Sequence, residues 1–210
     1  MKEGGNFLNI YSWIYLVSCC YERLKRKFYI RYNKWLFKKN GIVFGDGMKV
    51  YNKVYIQGSG TVTIGHYFTF TSGDGLNPVC TSTRGCMNTV NKGSIIIGNS
   101  VGISSATLWA QEMIRIGNHV NIGGNCILID NDAHPIDFKL RRDPVVDENV
   151  HSSPIIIEDD VWIGANSVIL KGVTVGARSI IGAGSVVTTN VPSDCVVAGN
   201  PAKIIKRIEQ

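Results

Sequence analysis

Between Pro154 and Val187 the aliphatic residues recur every six positions: Ile157, Ile163, Ile169, Val175, Ile181 and Val187. Gly follows three of them, at Gly164, Gly176 and Gly182. A period of six is neither the 3.6 of a helix nor the 2 of a lone strand. It is the internal repeat of a β-helix, in which each hexapeptide makes one short strand and one turn, and three close a triangular coil of about eighteen residues. The aliphatic side chains then point inward and stack from coil to coil, with small residues at the corners. The same period runs through Ile97-Gly98 and Ile103, and restarts at Ile116-Gly117, Ile122-Gly123 and Leu128. The next step of six falls on His134, where the pattern stops. Residues 132–153 are charged, hold two prolines and lack the repeat. They read as a loop expelled from the solenoid, and structureless loops of this length in a compact fold are usually functional. Residues 42–64 read as imperfect first coils, and residues 71–94 as a loop or an irregular coil.

Ahead of the solenoid the pattern changes. Ile10, Ile14, Val17, Tyr21, Leu24, Phe28, Tyr32 and Trp35 are spaced by threes and fours, which predicts an amphipathic helix over 7–39. Asn40-Gly41 ends it. Its apolar stripe has two possible partners. One is the solenoid or a neighbouring subunit. The other is a membrane surface, with Trp13, Trp35 and the Lys and Arg residues at head-group depth. The most apolar part, 7–20, falls short of the roughly eighteen residues of a transmembrane span. After Val187 the chain leaves the repeat, and 202–209 is expected to form a short helix with Lys203, Lys206 and Arg207 clustered. The chain thus divides into a basic helical segment (1–40), a β-helix (41–190) and a C-terminal turn and helix (191–210).

The fold class is therefore an all-β solenoid with a helix at each end. A length of 210 residues, 44% of them hydrophobic, suits one substantial core. The formal charge of +6 is unevenly placed. The first forty residues hold nine Lys and Arg against two Glu, so the rest of the chain sums to about −1. That argues against a nucleic-acid groove along the solenoid. The six Cys lack metal-type spacing and follow no signal-peptide layout, so they read as reduced thiols of a cytoplasmic protein. Cys126 and Cys195 lie in repeat-like text and are expected in the core.

His134 carries the candidate chemistry. It sits at the mouth of the expelled loop, followed by the rigid Pro135. Asp130, Asp132 and Asp137 are near enough in sequence for one of them to hold its ring. A carboxylate on one imidazole nitrogen fixes the tautomer and leaves the other nitrogen to accept a proton. Asp132 is taken with His134 as the candidate catalytic pair. His66, His119 and His151 lack this setting. No H-x-x-x-x-H pair suggests zinc, and no metal is expected. Nucleophile-elbow, phosphate-loop and dinucleotide motifs are missing. Arg84, in the polar stretch 71–94, could meet an anionic group of a substrate.

These residues resemble a known family. ILIDNDAHPID (127–137) and VWIGANSVILKGVTVGARSIIGAGSVVTTNVPSDCVVAGNPAKIIKRI (161–208) are similar to hexapeptide-repeat acyltransferases, in particular the maltose/galactoside and surface-polysaccharide O-acetyltransferases. The likeness is specific over about 95–208. It implies a left-handed parallel β-helix, a homotrimer with sites in the clefts between solenoids, and acetyl-CoA as co-substrate without a metal. It implies that His134 is the general base of a direct transfer. It further implies that Ala165 and Ala183 line the pantetheine arm, and that Thr188 and Thr189 lie near the coenzyme. Thr189 stands where relatives often carry Lys. Lys203 and Lys206 match basic residues near the nucleotide phosphates, and Trp162 either flanks the site or packs between coils. The implied acceptor is a sugar hydroxyl of a bacterial surface polysaccharide or its precursor, with the enzyme cytoplasmic or peripheral to the inner face of the membrane. Two alternatives stand beside it. One is the same fold acting on a sugar-nucleotide amine, serine or an antibiotic; the other is a non-enzymatic binding module.

Overall fold

The structure, a computed structural model, describes residues 7–73, 77–79, 83–142 and 150–209. Short parallel strands stack into three walls, and the chain visits the walls in turn. The first wall includes Ser94–Ile97, Met113–Ile116, Ile155–Ile157 and Thr174–Val175. The second includes Gly102–Ser104, Asn121–Ile122, Trp162–Ile163, Ile180–Ile181 and Cys195–Gly199. The third includes Cys86–Thr89, Thr107–Ala110, Ile127–Ile129, Val168–Leu170 and Val186–Val187. This is the left-handed parallel β-helix.

The register follows the hexapeptide period. Ile157 lies against Val175, Ile163 against Ile181, and Ile169 against Val187, one eighteen-residue coil apart in each case. All six are buried, as are Ile97, Ile103, Ile116, Ile122 and Leu128. The apolar columns form one continuous core, and Cys126 and Cys195 are buried within it. Of the stretch 71–94, residues 74–76 and 80–82 lie outside those described, and the part from 83 onward is more regular than its composition suggests. Cys86–Thr89 pairs on both sides, with Tyr55–Gly58 and Thr107–Ala110, and Met87 is fully buried. The off-phase apolar residue there is a Met among polar neighbours, which hides the strand from a search for Ile and Val.

Corners are held by a backbone ladder. Ser100, His119, Asp160, Arg178 and Asp194 all take left-handed φ between 56° and 61°. Each donates its N–H to a carbonyl of the coil before, as His119 does to Asn99 at 2.9 Å and Asp160 to Asn118 at 2.9 Å. Side chains repeat the bond. Asn118 donates its backbone N–H to Asp159 at 2.7 Å, and with the Asn118 amide this holds the Asp159 carboxyl below the usual carboxylate range. His119 is thus an exposed corner residue, and the His66 ring accepts the Asp46 N–H at 3.1 Å.

Both ends of the solenoid are covered. The helix α1 (Phe7–Lys39) closes the first coil with its last turns. Phe37 is fully buried against Phe44, and the buried Asn33 amide donates to the carbonyls of Val50 and Asn52 at 3.0 and 2.8 Å. The apolar stripe read from the sequence does not make this contact. Leu24, Phe28 and Trp35 face away from the solenoid and are more than half exposed. At the other end the expected short helix over 202–209 is a strand, Ala202–Arg207, antiparallel to Cys195–Gly199. The last coil leaves an open edge, and a returning strand satisfies its backbone where a helix could not.

Glycine is required where corners touch. A Cβ on Gly164 would lie 2.5 Å from the Ala183 nitrogen, and one on Gly123 would lie 2.5 Å from the Ala165 nitrogen. Gly164→Ala is expected to lower unfolding free energy by about 1–3 kcal/mol through forced separation of the coils. Chemical denaturation of the two proteins side by side measures it.

Candidate active site

His134 stands on a turn tied to the solenoid from three directions. The loop leaves after Ile127–Ile129, at the corner between the third and first walls, and returns before Ile155–Ile157. Its two legs meet at the base. Asn131 bridges Ser152, the Asp132 N–H donates to the His151 carbonyl at 3.1 Å, and Ser153 N–H donates to the Asp130 carbonyl at 2.8 Å. The coil before grips the base. Gln111, Glu112 and Met113 all donate backbone N–H groups to the fully buried Asp130 carboxylate, at 2.7, 2.8 and 2.8 Å. The coil after grips it too, through an ion pair between Lys171 and Asp132.

On this base the turn is tight. Ala133 takes φ 59°, a left-handed conformation uncommon for a residue with a side chain. It is held because the Asn131 side chain accepts the Ala133 N–H at 2.9 Å and the Asp132 carbonyl accepts the His134 N–H at 2.7 Å. Pro135 is buried, so the backbone is fixed on both sides of His134 while the imidazole stays exposed. Beyond it the short helix α2 (Phe138–Arg141) is capped by the Asp137 carboxylate, which accepts the Lys139 N–H at 2.8 Å.

None of the three candidate carboxylates is hydrogen-bonded to the His134 ring among the described residues. Each has a closer partner: Asp130 the three backbone N–H groups, Asp132 the Lys171 ammonium, Asp137 the cap of α2. The expected pairing of Asp132 with the imidazole is therefore replaced by a pairing that holds the loop base. Lys171 was not singled out in the sequence. Its signal is positional, since Lys171-Gly172 follows Val168–Leu170 as Asp130-Asn131 follows Ile127–Ile129. His151, set aside in the sequence, lies with its exposed side chain on the returning leg of the same base.

The other candidates fall into two groups. Thr188 and Thr189 follow Val186–Val187, so they share the third-to-first corner with Lys171 and the loop base, and both are exposed. Ala165 and Ala183 lie at the opposite end of the third wall, at the corner between the second and third walls. They stack directly, since the Gly184 N–H donates to the Ala165 carbonyl at 2.8 Å. Trp162, 55% exposed, stands on the outer face of the second wall in a column through Ile180 and Val196 to Lys206.

The strand that replaced the expected helix keeps its two lysines together. Lys203 pairs Ala198 and Lys206 pairs Val196, two positions on one face of Cys195–Gly199, because the register shifts by one residue between them. Arg84 is exposed and belongs to this side as well. At the corner between the second and third walls, Thr83 and the Val79 carbonyl are hydrogen-bonded to the Asn125 side chain. Asn125 Nδ2 in turn donates to Asn166, beside Ala165, at 3.2 Å. Within one chain the third wall separates this line from His134. Among the described residues no group of three or more His, Cys, Asp or Glu converges as a metal site would need.

Comparison with known proteins agrees with this architecture. A family model described as the hexapeptide repeat of succinyl-transferase matches residues 154–189. Galactoside O-acetyltransferase of Escherichia coli K12 is 40% identical over 102 residues, which are 49% of this chain and 48% of that one. The chain spans about half the length of the curated relatives it matches first. A crystal structure of the polySia specific acetyltransferase NeuO is 31% identical, covers 79% of this chain and 75% of its own, and has a TM-score of 0.50. The N-acyltransferase AntD of Bacillus cereus, crystallised with a sugar nucleotide and coenzyme A, covers 84% of this chain and 89% of its own at a TM-score of 0.64. At 20% identity AntD speaks for the fold alone. The chain belongs to the hexapeptide-repeat acyltransferase family.

Asp130 and Lys171 differ in what they hold. Asp130→Ala leaves three part-buried backbone donors without their acceptor and is expected to cost about 2–3 kcal/mol of stability. Lys171→Met breaks a partly exposed pair and should cost about 1 kcal/mol or less. Urea denaturation of both variants tests the ranking.

Proposed function

We propose that the chain is an acetyl-CoA-dependent O-acetyltransferase that works as a homotrimer and acts on a sugar hydroxyl, of a surface polysaccharide or its precursor. The observation that carries this reading is the exposed His134 imidazole on a backbone locked from both sides. A general base needs a fixed position and a free nitrogen, and His134 has both.

His134 accepts the proton of the acceptor hydroxyl as its oxygen attacks the thioester carbonyl. The tetrahedral adduct then collapses, the carbon–sulfur bond breaks, and the coenzyme thiolate takes the proton back from the imidazolium. Direct transfer suits a site where, among the described residues, no Ser or Cys is hydrogen-bonded to the His134 ring as a nucleophile would be. The donor runs along the outer second wall, with pantetheine over the small Ala165 and Ala183 corners and the nucleotide phosphates at Lys203 and Lys206. Lysines there act as point charges rather than forks. Thr188 and Thr189 lie nearer the base. Arg84 on its excursion and Trp162 flank the acceptor and donor.

The two groups of residues belong to different corners of one solenoid. A copy packed alongside brings the His134 corner of one chain to the Ala165–Ala183 line of the next. The relatives named as galactoside and polysialic acid acetyltransferases support sugars as acceptors.

His134→Ala is expected to lower acetyl transfer by at least about 10²-fold with assembly and melting temperature unchanged. Lys203→Ala/Lys206→Ala should instead weaken acetyl-CoA binding by calorimetry. Transfer undiminished in His134→Ala removes the general-base role. No binding of acetyl-CoA at millimolar concentration removes the acetyl donor.

A further inference from the structure

The helix α1 is about 50 Å long at 1.5 Å per residue, and only its last turns plug the solenoid. Three rows run along it. Asn33 and Phe37 make up the buried row, turned to the first coil. The second row is apolar: Ile14, Val17, Tyr21, Leu24, Phe28 and Trp35, each between 56% and 66% exposed. The third is basic and fully on the surface: Arg23, Lys27, Arg31, Lys34 and Lys38. Arg23, Lys27 and Lys34 each stand one place before an apolar-row residue, so the basic row is turned roughly 100° around the axis and borders the apolar row along its length. Phe28 stacks on Tyr32, the Trp35 ring lies tilted 5.9 Å beyond Tyr32, and the Lys39 ammonium lies 5.3 Å from the Trp35 ring. No described helix is long and apolar enough to cross a membrane.

We propose that α1 is an interfacial anchor that lays its apolar row into an anionic lipid surface, with the basic row at the phosphate level. Charge complementarity decides the occupant. The row carries five like charges, and Glu22 is the single acidic residue between 7 and 39. Residues 41–210 sum to about −1, so another copy of this chain offers no acidic field to match the row. Packing identical helices antiparallel, stripe to stripe, would bring the two basic rows to the same side, a like-charge contact that is costly. An anionic bilayer meets both demands at once: hydrocarbon for Leu24, Phe28 and Trp35, and phosphate for the bordering Lys and Arg. The helix emerges from the first-coil end, so an anchored α1 leaves the His134 loop and the Lys203–Lys206 end free. This inference is independent of acyl transfer.

The test is sedimentation of the full chain with vesicles of phosphatidylglycerol or of phosphatidylcholine, beside two full-length variants. The chain is expected to pellet with phosphatidylglycerol, to do so much less with phosphatidylcholine, and to be released by salt. Lys27→Glu/Arg31→Glu should weaken the binding by at least about tenfold. Leu24→Glu/Phe28→Glu should weaken it comparably while melting temperature holds, since Asn33 and Phe37 are untouched. Equal partition onto both lipids, or none onto either, overturns the proposal even if a variant fails to fold. So does a stripe variant that changes the oligomer in sedimentation velocity and leaves vesicle binding intact, because a second copy then covers the stripe.

Discussion

The parallel register of one coil on the next constrains everything else in this molecule. Ile157 over Val175 and Ile163 over Ile181 require the chain to return to the same point every eighteen residues. Interior side chains are fully buried and touch their counterparts above and below, so a single added residue inside a wall would turn a column outward. Extra chain can therefore enter only at corners. Both departures from the repeat begin and end at corners: after Thr69–Thr71 and before Cys86–Thr89 between the second and third walls, and after Ile127–Ile129 and before Ile155–Ile157 between the third and first.

That constraint places the candidate residues. A corner excursion is free of the repeat, yet its two ends are fixed by neighbouring coils. At the base of the long loop, Asp130 is bound from the coil before and Asp132 from the coil after. His134 inherits this rigidity through the Ala133 N–H bond to the Asn131 side chain, its own N–H bond to the Asp132 carbonyl, and a buried proline. The proposed donor line needs the opposite quality. It needs small residues and close backbone, which the corner Gly and Ala positions provide because larger side chains would collide with the next coil. One constraint thus yields both a rigid acidic-and-basic loop base and a smooth corner track.

Much of this was legible in the residues. The six-residue period is a direct image of the coil, and His134 stood out because the period fails there. Three things were not legible. The partners of Asp130, Asp132 and Asp137 depend on which backbone groups and which lysine the next coils bring near, and a period does not number side-chain contacts. The strand Ala202–Arg207 resembles a helix in sequence because its three apolar and three basic residues fit a helical turn as well as an edge strand. Its need arises only from the open edge of the last coil. The stripe of α1 follows from its spacing, but its direction depends on Asn33 and Phe37, a polar and an apolar residue on another face.

The division of candidate residues between two corners gives the most direct test of the shared site. Co-expression of His134→Ala with Ala183→Trp would form mixed assemblies from two variants that each lack transfer activity alone. If the base of one copy serves the donor track of the next, some clefts in a mixed assembly are intact, and acetyl transfer returns to a substantial fraction of the unmodified level. If mixed assemblies form and remain as inactive as the separate variants, His134 and the Ala165–Ala183 line serve the same copy, and the inter-subunit site is wrong.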